Sequence, residues 1–134
     1  MVILLGGTSG TGKSTVGVKI TQISGFSHHI GCGFIREITR LYHTIEDYPS
    51  LYTYSFRPHN NMDSFENLMN QSSIIKEPIE ACINRAEKEK TDVVIEGVFC
   101  IPDIINYAKV SLFGLITISD EKKHYRMIKN RGIN

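Results

Sequence analysis

Eight consecutive residues, Gly7-Thr8-Ser9-Gly10-Thr11-Gly12-Lys13-Ser14, satisfy the pattern G-x-x-x-x-G-K-[ST]. Glycines at this spacing let a backbone curl into a nest of N–H groups aimed at one anion. A helix that starts where the loop ends adds the positive end of its dipole. In such a loop Gly7, Thr8, Ser9, Gly10, Thr11 and Gly12 cradle nucleotide phosphates and Lys13 reaches the β- and γ-phosphates. Ser14 then ligates Mg²⁺ and Thr15 meets the α-phosphate. A flexible turn that happens to contain Lys-Ser is the bland alternative, and the flanking segments argue against it.

Other residue types extend this chemistry. Asp92-Val93-Val94-Ile95-Glu96-Gly97 puts an acid at the carboxyl end of an apolar run, the edge where open α/β sheets bind ligands. Glu96 there can hold the water shell of Mg²⁺ or accept a hydroxyl proton, although a lone acid after a strand is often only a cap. Arg36 and Arg40, four residues apart on one helix face, suit an anionic substrate, with surface charge the competing reading for Arg40. Arg126 and Arg131, among Lys122, Lys123, His124 and Lys129, form a basic segment. It reads either as a lid whose arginines stabilise charge on a transferred phosphoryl group or as a solvated helix face. His28, His29 and His43 lack the spacing of a metal site and read as polar or loop histidines. Tyr42, Tyr48, Tyr52 and Tyr54 either wall a cleft or cover a core.

These groups need elements to hold them. Val2-Ile3-Leu4-Leu5 is a continuous apolar run ended by glycine, the pattern of a strand buried on both faces. Lys13 to Ile23 reads as a helix, with Val16, Ile20 and Ile23 at helical spacing and Gly25 as its stop. His29 to Cys32 supplies a short second strand before a helix opening at Phe34. Tyr42 to Asn61 reads as a surface excursion. Apolar positions recur from Met62 to Lys90, including Phe65, Leu68/Met69, Ile75, Ile79 and Ile83, and predict one or two amphipathic helices with a kink or break just before Pro78. Asp92 to Ile95 is a third strand, Pro102 to Lys109 a short helix, and Leu112 to Ile118 a fourth strand. Asp120 caps a final helix running through Arg131. Alternating strands and helices imply a doubly wound α/β fold, a parallel sheet of about four strands flanked by helices, and the motif from Gly7 to Ser14 between the first strand and first helix makes it of the P-loop NTPase/kinase type. The expected organisation is one domain over residues 1–134 with a lid at about 120–131.

Composition narrows the class. With 41% hydrophobic residues and a net charge of +1 in 134 residues, the chain can bury a core and is not disordered. It also lacks the basic excess of a nucleic-acid binder. No apolar stretch approaches the roughly 20 residues of a membrane span, and Met1 to Leu5 carries no basic signal-peptide region, so a cytoplasmic location is expected. Cys32, Cys82 and Cys100 are odd in number and unpaired in spacing, and read as buried free thiols.

The run Ile3 to Thr15, with Phe34-Ile35-Arg36-Glu37-Ile38-Thr39-Arg40 and Val93-Val94-Ile95-Glu96-Gly97-Val98, resembles the archaeal 2-phosphoglycerate kinase family of P-loop kinases. Pro78 to Ala86 and the Asp120-Glu121-x-x-His124 turn extend the resemblance over nearly the whole chain. It implies transfer of the ATP γ-phosphoryl group to a small phosphorylated hydroxy acid, 2-phosphoglycerate, with Mg²⁺. A nucleoside or nucleotide kinase and a catalytically weak ATP-binding module are the other readings. Carried over by position, Lys13, Ser14 and Thr15 take the nucleotide and Mg²⁺, and Arg36 takes substrate or γ-phosphate. Glu96 lies at the sheet edge and ligates the metal with Ser14, while Arg126 and Arg131 are lid cations. Related small-molecule kinases carry Asp-x-x-Arg after the second strand. Here that aspartate position is Gly33, so Glu37 or Glu96 has to take the proton. Kinases of this type also place a fifth strand and a closing helix after the lid, which implies a version short at its carboxyl end. An exposed edge strand then invites a homodimer.

Overall fold

The computed structural model describes residues 1–55, 57 and 61–130. Four strands, β1 (Val2–Gly6), β2 (His28–Gly31), β3 (Val93–Glu96) and β4 (Leu112–Leu115), form one parallel sheet in the order β2-β3-β1-β4. Helices α1 (Lys13–Ser24), α2 (Cys32–Arg40), α3 (Ser64–Glu89) and α4 (Glu121–Lys129) complete the element order. The chain leaves β1 for the far edge of the sheet, returns to β3 and then crosses to β4 on the other side of β1. The order therefore reverses beside β1, where ligands of open α/β sheets bind.

Alternation along the strands assigns the two faces. Val2 and Leu4 of β1, with Val93 and Ile95 of β3, pack against Ile75, Ile79 and Ile83 of α3. Ile3, Leu5 and Val94 pack on the opposite face against Val16 and Ile20 of α1. Glu96 follows Val94 by two residues and so falls on the α1 face. Its register partners are Leu5, one residue before the end of β1, and Gly31, the last residue of β2.

Several boundaries and packing roles differ from expectation. Cys32 opens α2 instead of closing β2. The long helix is one unbroken element through Pro78. Ile75 and Ile79, on either side of that proline, are both fully buried in the same core, so packing holds the two halves in line despite one missing backbone hydrogen bond. The helix expected over 102–109 is reduced to turns and a short 3-10 segment, Tyr107–Lys109. The Asn106 N–H is taken by Glu80 Oε1 at 2.9 Å, and Asn106 caps Ala108 N–H at 3.0 Å. β4 ends at Leu115, after which Ile116 N–H donates to Gly6 C=O. Ile23 and Phe65, expected in the core, are exposed.

The caps follow the sequence closely. Gly25 ends α1 in the left-handed conformation, Asp63 accepts from the N–H groups of Phe65 and Glu66 at the start of α3, and Asp120 accepts from Lys123 N–H at the start of α4. The described part of the excursion, 42–55, is fastened to the body of the protein. Leu51 is fully buried, and Arg40 Nε donates to its carbonyl at 2.6 Å. The Tyr52 hydroxyl donates to the carbonyls of Arg40 and His43, and His43 meets the Tyr48 ring edge-on. Arg40 thus ties this segment to α2, ion-pairs with Glu37 and lies over the Tyr52 ring at 5.3 Å. No helix among the described residues is long and apolar enough to cross a membrane.

Candidate functional site

The loop between β1 and α1 adopts the backbone its glycines permit. Gly7, Gly10 and Gly12 have φ of +138°, +76° and +92°, values that residues with a Cβ rarely adopt. Space is short as well, since a Cβ on Gly7 would lie 2.3 Å from the Ile116 carbonyl oxygen. Lys13, the first residue of α1, is buried, and its Nζ donates to the Thr8 carbonyl at 2.6 Å. The same carbonyl accepts from Thr11 Oγ1 at 2.9 Å, which holds the loop closed on itself. Thr8 and Thr15 are exposed.

Ser14 Oγ donates to Glu96 Oε1 at 2.9 Å, joining residues 82 positions apart. The contact follows from the sheet, because Glu96 points to the α1 face and α1 begins at Lys13. A hydroxyl and a buried carboxylate so placed are hard oxygen donors of the kind Mg²⁺ takes when nucleotide phosphates and water complete its shell. The described residues contain no group of three His, Cys, Asp or Glu that could cage a metal. His29 Nε2 lies 3.7 Å from Glu96 Oε1, beyond hydrogen-bond reach, and is buried without a hydrogen-bond partner among the described residues. Gly17 makes this approach possible, since a Cβ there would stand 2.8 Å from that nitrogen.

A cleft of about 420 Å³ opens above these groups, lined by Ser9, Lys13, Ser14, Arg36, Glu37 and Glu96, and on its far side by Tyr54, Ser55 and Phe99. Arg36 stands over the Phe99 ring at 5.9 Å, and its Nε is buried with no hydrogen-bond partner among the described residues. Burial, then the neighbouring Arg40, lowers its pKa below the ordinary arginine value, while Glu37 and Tyr54 oppose the change. The guanidinium stays charged, and an arginine in the wall of a cleft is a place where an anion can be held. Of the two candidate acids, Glu37 is engaged by Arg40 at 2.6 Å, whereas Glu96 is buried beside Ser14. Gly33 also lines the cleft, with open space where a side chain would begin.

The final helix is placed differently from a lid reaching in with arginines. α4 turns His124, Met127 and Ile128 toward the phosphate loop. His124 Nε2 is 2.7 Å from Ser9 O, and Ile128 occupies the space above Gly10. Arg126 stands on the outward face of α4 with Lys122 and Tyr125, away from the cleft. Arg131 lies outside the described residues. Sequence reading passed over Ser55 and Phe99 and left Tyr54 open. Phe99 carried a signal, being three residues past Glu96 in the loop that leaves β3.

Beneath the cleft, Cys32 Sγ and Cys100 Sγ are 3.7 Å apart and both residues are buried. Their mutual hydrogen bond and then burial push the Cys32 thiol well above its ordinary pKa, and burial raises Cys82 less. The thiolate is the reactive form, so iodoacetamide at pH 8 is expected to modify half-buried Cys82 first. Cys32 and Cys100 should react only as fast as the protein unfolds, which peptide mass mapping over time would read. A raised folded value also means that the thiol's contribution to stability is complete at neutral pH and is lost as pH climbs past the ordinary thiol range.

A parallel sheet with the glycine-rich loop between its first strand and first helix defines a P-loop α/β protein. The chain is similar to archaeal 2-phosphoglycerate kinases, being 30% identical over 141 residues to the 2-phosphoglycerate kinase of Methanothermobacter thermautotrophicus, with 92% of this chain and 45% of the relative covered. The 2-phosphoglycerate kinase of Methanocaldococcus jannaschii is 30% identical over 142 residues, covering 98% and 46%, and that of Methanopyrus kandleri 29% over 136 residues, covering 92% and 41%. The chain therefore spans less than half the length of these curated relatives. No protein-family model matches it. Among solved structures, an uncharacterized protein from Eubacterium ventriosum superposes with a TM-score of 0.53 at 15% identity, covering all of this chain and 66% of the other, a likeness of fold.

Proposed function

We propose that the chain forms the nucleotide- and acceptor-binding part of a Mg-ATP-dependent kinase that transfers the γ-phosphoryl group to the hydroxyl of a small phosphorylated acid, 2-phosphoglycerate, to give 2,3-bisphosphoglycerate. The observation that carries this reading is the convergence of Lys13, Ser14, Glu96 and Arg36 on one cleft. The loop from Gly7 to Gly12, with Lys13 and Thr15, binds the nucleotide phosphates. Ser14 and Glu96 hold Mg²⁺, which when bound screens the charge that develops on the phosphates. One Glu96 oxygen accepts from Ser14, and the remaining lone pairs of the carboxylate can take the acceptor's hydroxyl proton as its oxygen attacks phosphorus and ADP leaves. Arg36 receives the acceptor's anionic end. For Arg126 to serve as a lid cation, α4 has to turn about its axis once nucleotide arrives.

ADP release with Mg-ATP, with and without 2-phosphoglycerate, tests the reading, and stimulation by the acceptor is the expected result. No stimulation, with ATP still raising the melting temperature, would overturn it in favour of an ATP-binding module. Open space at Gly33 favours that second reading, because related kinases carry an acid there. Gly33→Asp raises activity strongly if the chain lacks a base, and changes it little if Glu96 already supplies one. A homodimer along the outer edge of β4, where Leu112 and Leu115 are exposed, is the corresponding partner proposal, checked by mass in solution.

A further inference from the structure

The buried stripe of α3 runs Asn67, Gln71, Ile75, Ile79, Ile83 at intervals of four residues. Its two amino-terminal members are amides, only 1% and 0% exposed. Leucines would fill the same row, and a buried amide is costly unless it is paired. Both are paired with one short piece of chain, Asn67 through both polar atoms and Gln71 through its Nε2, while Gln71 Oε1 has no hydrogen-bond partner among the described residues. Asn67 Nδ2 donates to the carbonyls of Tyr54 at 3.0 Å and Ser55 at 3.4 Å. Asn67 Oδ1 accepts from Thr53 Oγ1 at 3.2 Å. Gln71 Nε2 donates to the Thr53 carbonyl at 3.0 Å and to Thr53 Oγ1 at 3.3 Å.

Fastening a long segment to the core does not by itself require this. Buried Leu51, the Arg40 contact to its carbonyl and the Tyr52 hydroxyl already hold residues 51–52. The amides add three consecutive carbonyls, 53 to 55, and these belong to the residues that enter the cleft. Tyr54 keeps its side chain 46% exposed there although its backbone is pinned. It lines the same cleft as Arg36, a cation whose buried Nε has no hydrogen-bond partner among the described residues.

We propose that Asn67 and Gln71 are positioning residues that hold Tyr54 in the cleft, so that its phenol and the Arg36 guanidinium together receive the oxyanion of a small anionic acceptor. This inference rests on the kinase reading for its ligand, but not for the positioning itself. A phenol O–H supplies a donor that adds directionality to the arginine's charge, and a wall fixed in advance spares the acceptor the cost of ordering it.

Steady-state kinetics with 2-phosphoglycerate tests it in the full chain. Tyr54→Phe, which removes the hydroxyl alone, is expected to raise the acceptor KM about tenfold or more and to leave the KM for ATP within twofold. Gln71→Leu, which keeps the bulk, is expected to do the same. The double variant should be no worse than the poorer single one, because both act through one contact. An unchanged acceptor KM in Tyr54→Phe, or a double variant whose effects multiply, overturns the proposal. Limited chymotrypsin digestion reads the clamp without any turnover. Cleavage after Tyr54 should be slow in the native chain and about tenfold faster in Gln71→Leu and Asn67→Ala, with other sites unchanged. Equal cleavage rates overturn the positioning role even if the kinase reading stands. Absent phosphoryl transfer with protected Tyr54 overturns the kinase reading and the assigned ligand, and leaves the clamp.

Discussion

Lys13→Ala is expected to lower acceptor-stimulated ADP release by at least about 10²–10³-fold and to abolish the rise in melting temperature that ATP produces in the native chain. Lys13 is the buried cation of the phosphate loop, and its Nζ lies against the Thr8 carbonyl, within the nest that phosphates would enter. An ammonium held there before the ligand arrives stabilises charge on the transferred group without reorganisation in the transition state. Alanine removes the charge and leaves the loop backbone, whose shape is set by Gly7, Gly10 and Gly12. The unliganded variant should therefore remain folded. Differential scanning fluorimetry with and without Mg-ATP, beside the ADP assay, separates loss of binding from loss of fold. A variant that keeps both the ATP-induced shift and the activity would remove Lys13 from the mechanism.

Glu96→Gln is the second large effect, a fall in kcat of about 10²–10⁴-fold with nucleotide binding retained. The amide is nearly isosteric, and its oxygen can still accept from Ser14 Oγ, so the packing between β3 and α1 should survive. The negative charge is lost, and with it both the proposed ligand for Mg²⁺ and the proposed proton acceptor at the carboxyl end of the sheet. Raising Mg²⁺ distinguishes the two roles, since a ligand defect is partly rescued by more metal and a base defect is not. Activity within threefold of the native chain would dismiss Glu96. Glu37, already committed to Arg40 at 2.6 Å, would then be the acid to replace.

What sequence reading missed has a common cause. Asn67 and Gln71 do not register as core in a search for apolar residues, yet they extend the four-residue row of Ile75, Ile79 and Ile83 toward the amino terminus. The row was visible and its polarity was misleading, because a buried amide is tolerable only when carbonyls from a distant segment meet it. Phe65 misled in the opposite direction, being apolar at helical spacing and exposed. Pro78 announced a break that core packing overrides. On α4, charge composition pointed to a lid, but helix periodicity turns Arg126 outward while His124, Met127 and Ile128 face the loop.

The chain by itself determined the phosphate loop, the alternation of strands and helices, and the caps at Gly25, Asp63 and Asp120. Each of these is set by residues that are neighbours in sequence, through backbone freedom, missing side chains or hydrogen bonds spanning a few positions. Tertiary structure alone decided that Ser14 meets Glu96, that Tyr54 stands in the same cleft as Arg36, and which of two acids is free of an arginine. Those pairings depend on parallel register and on which face each strand residue presents. With a side-chain period of two, a shift of one residue would carry Glu96 to the α3 face and leave Ser14 without it.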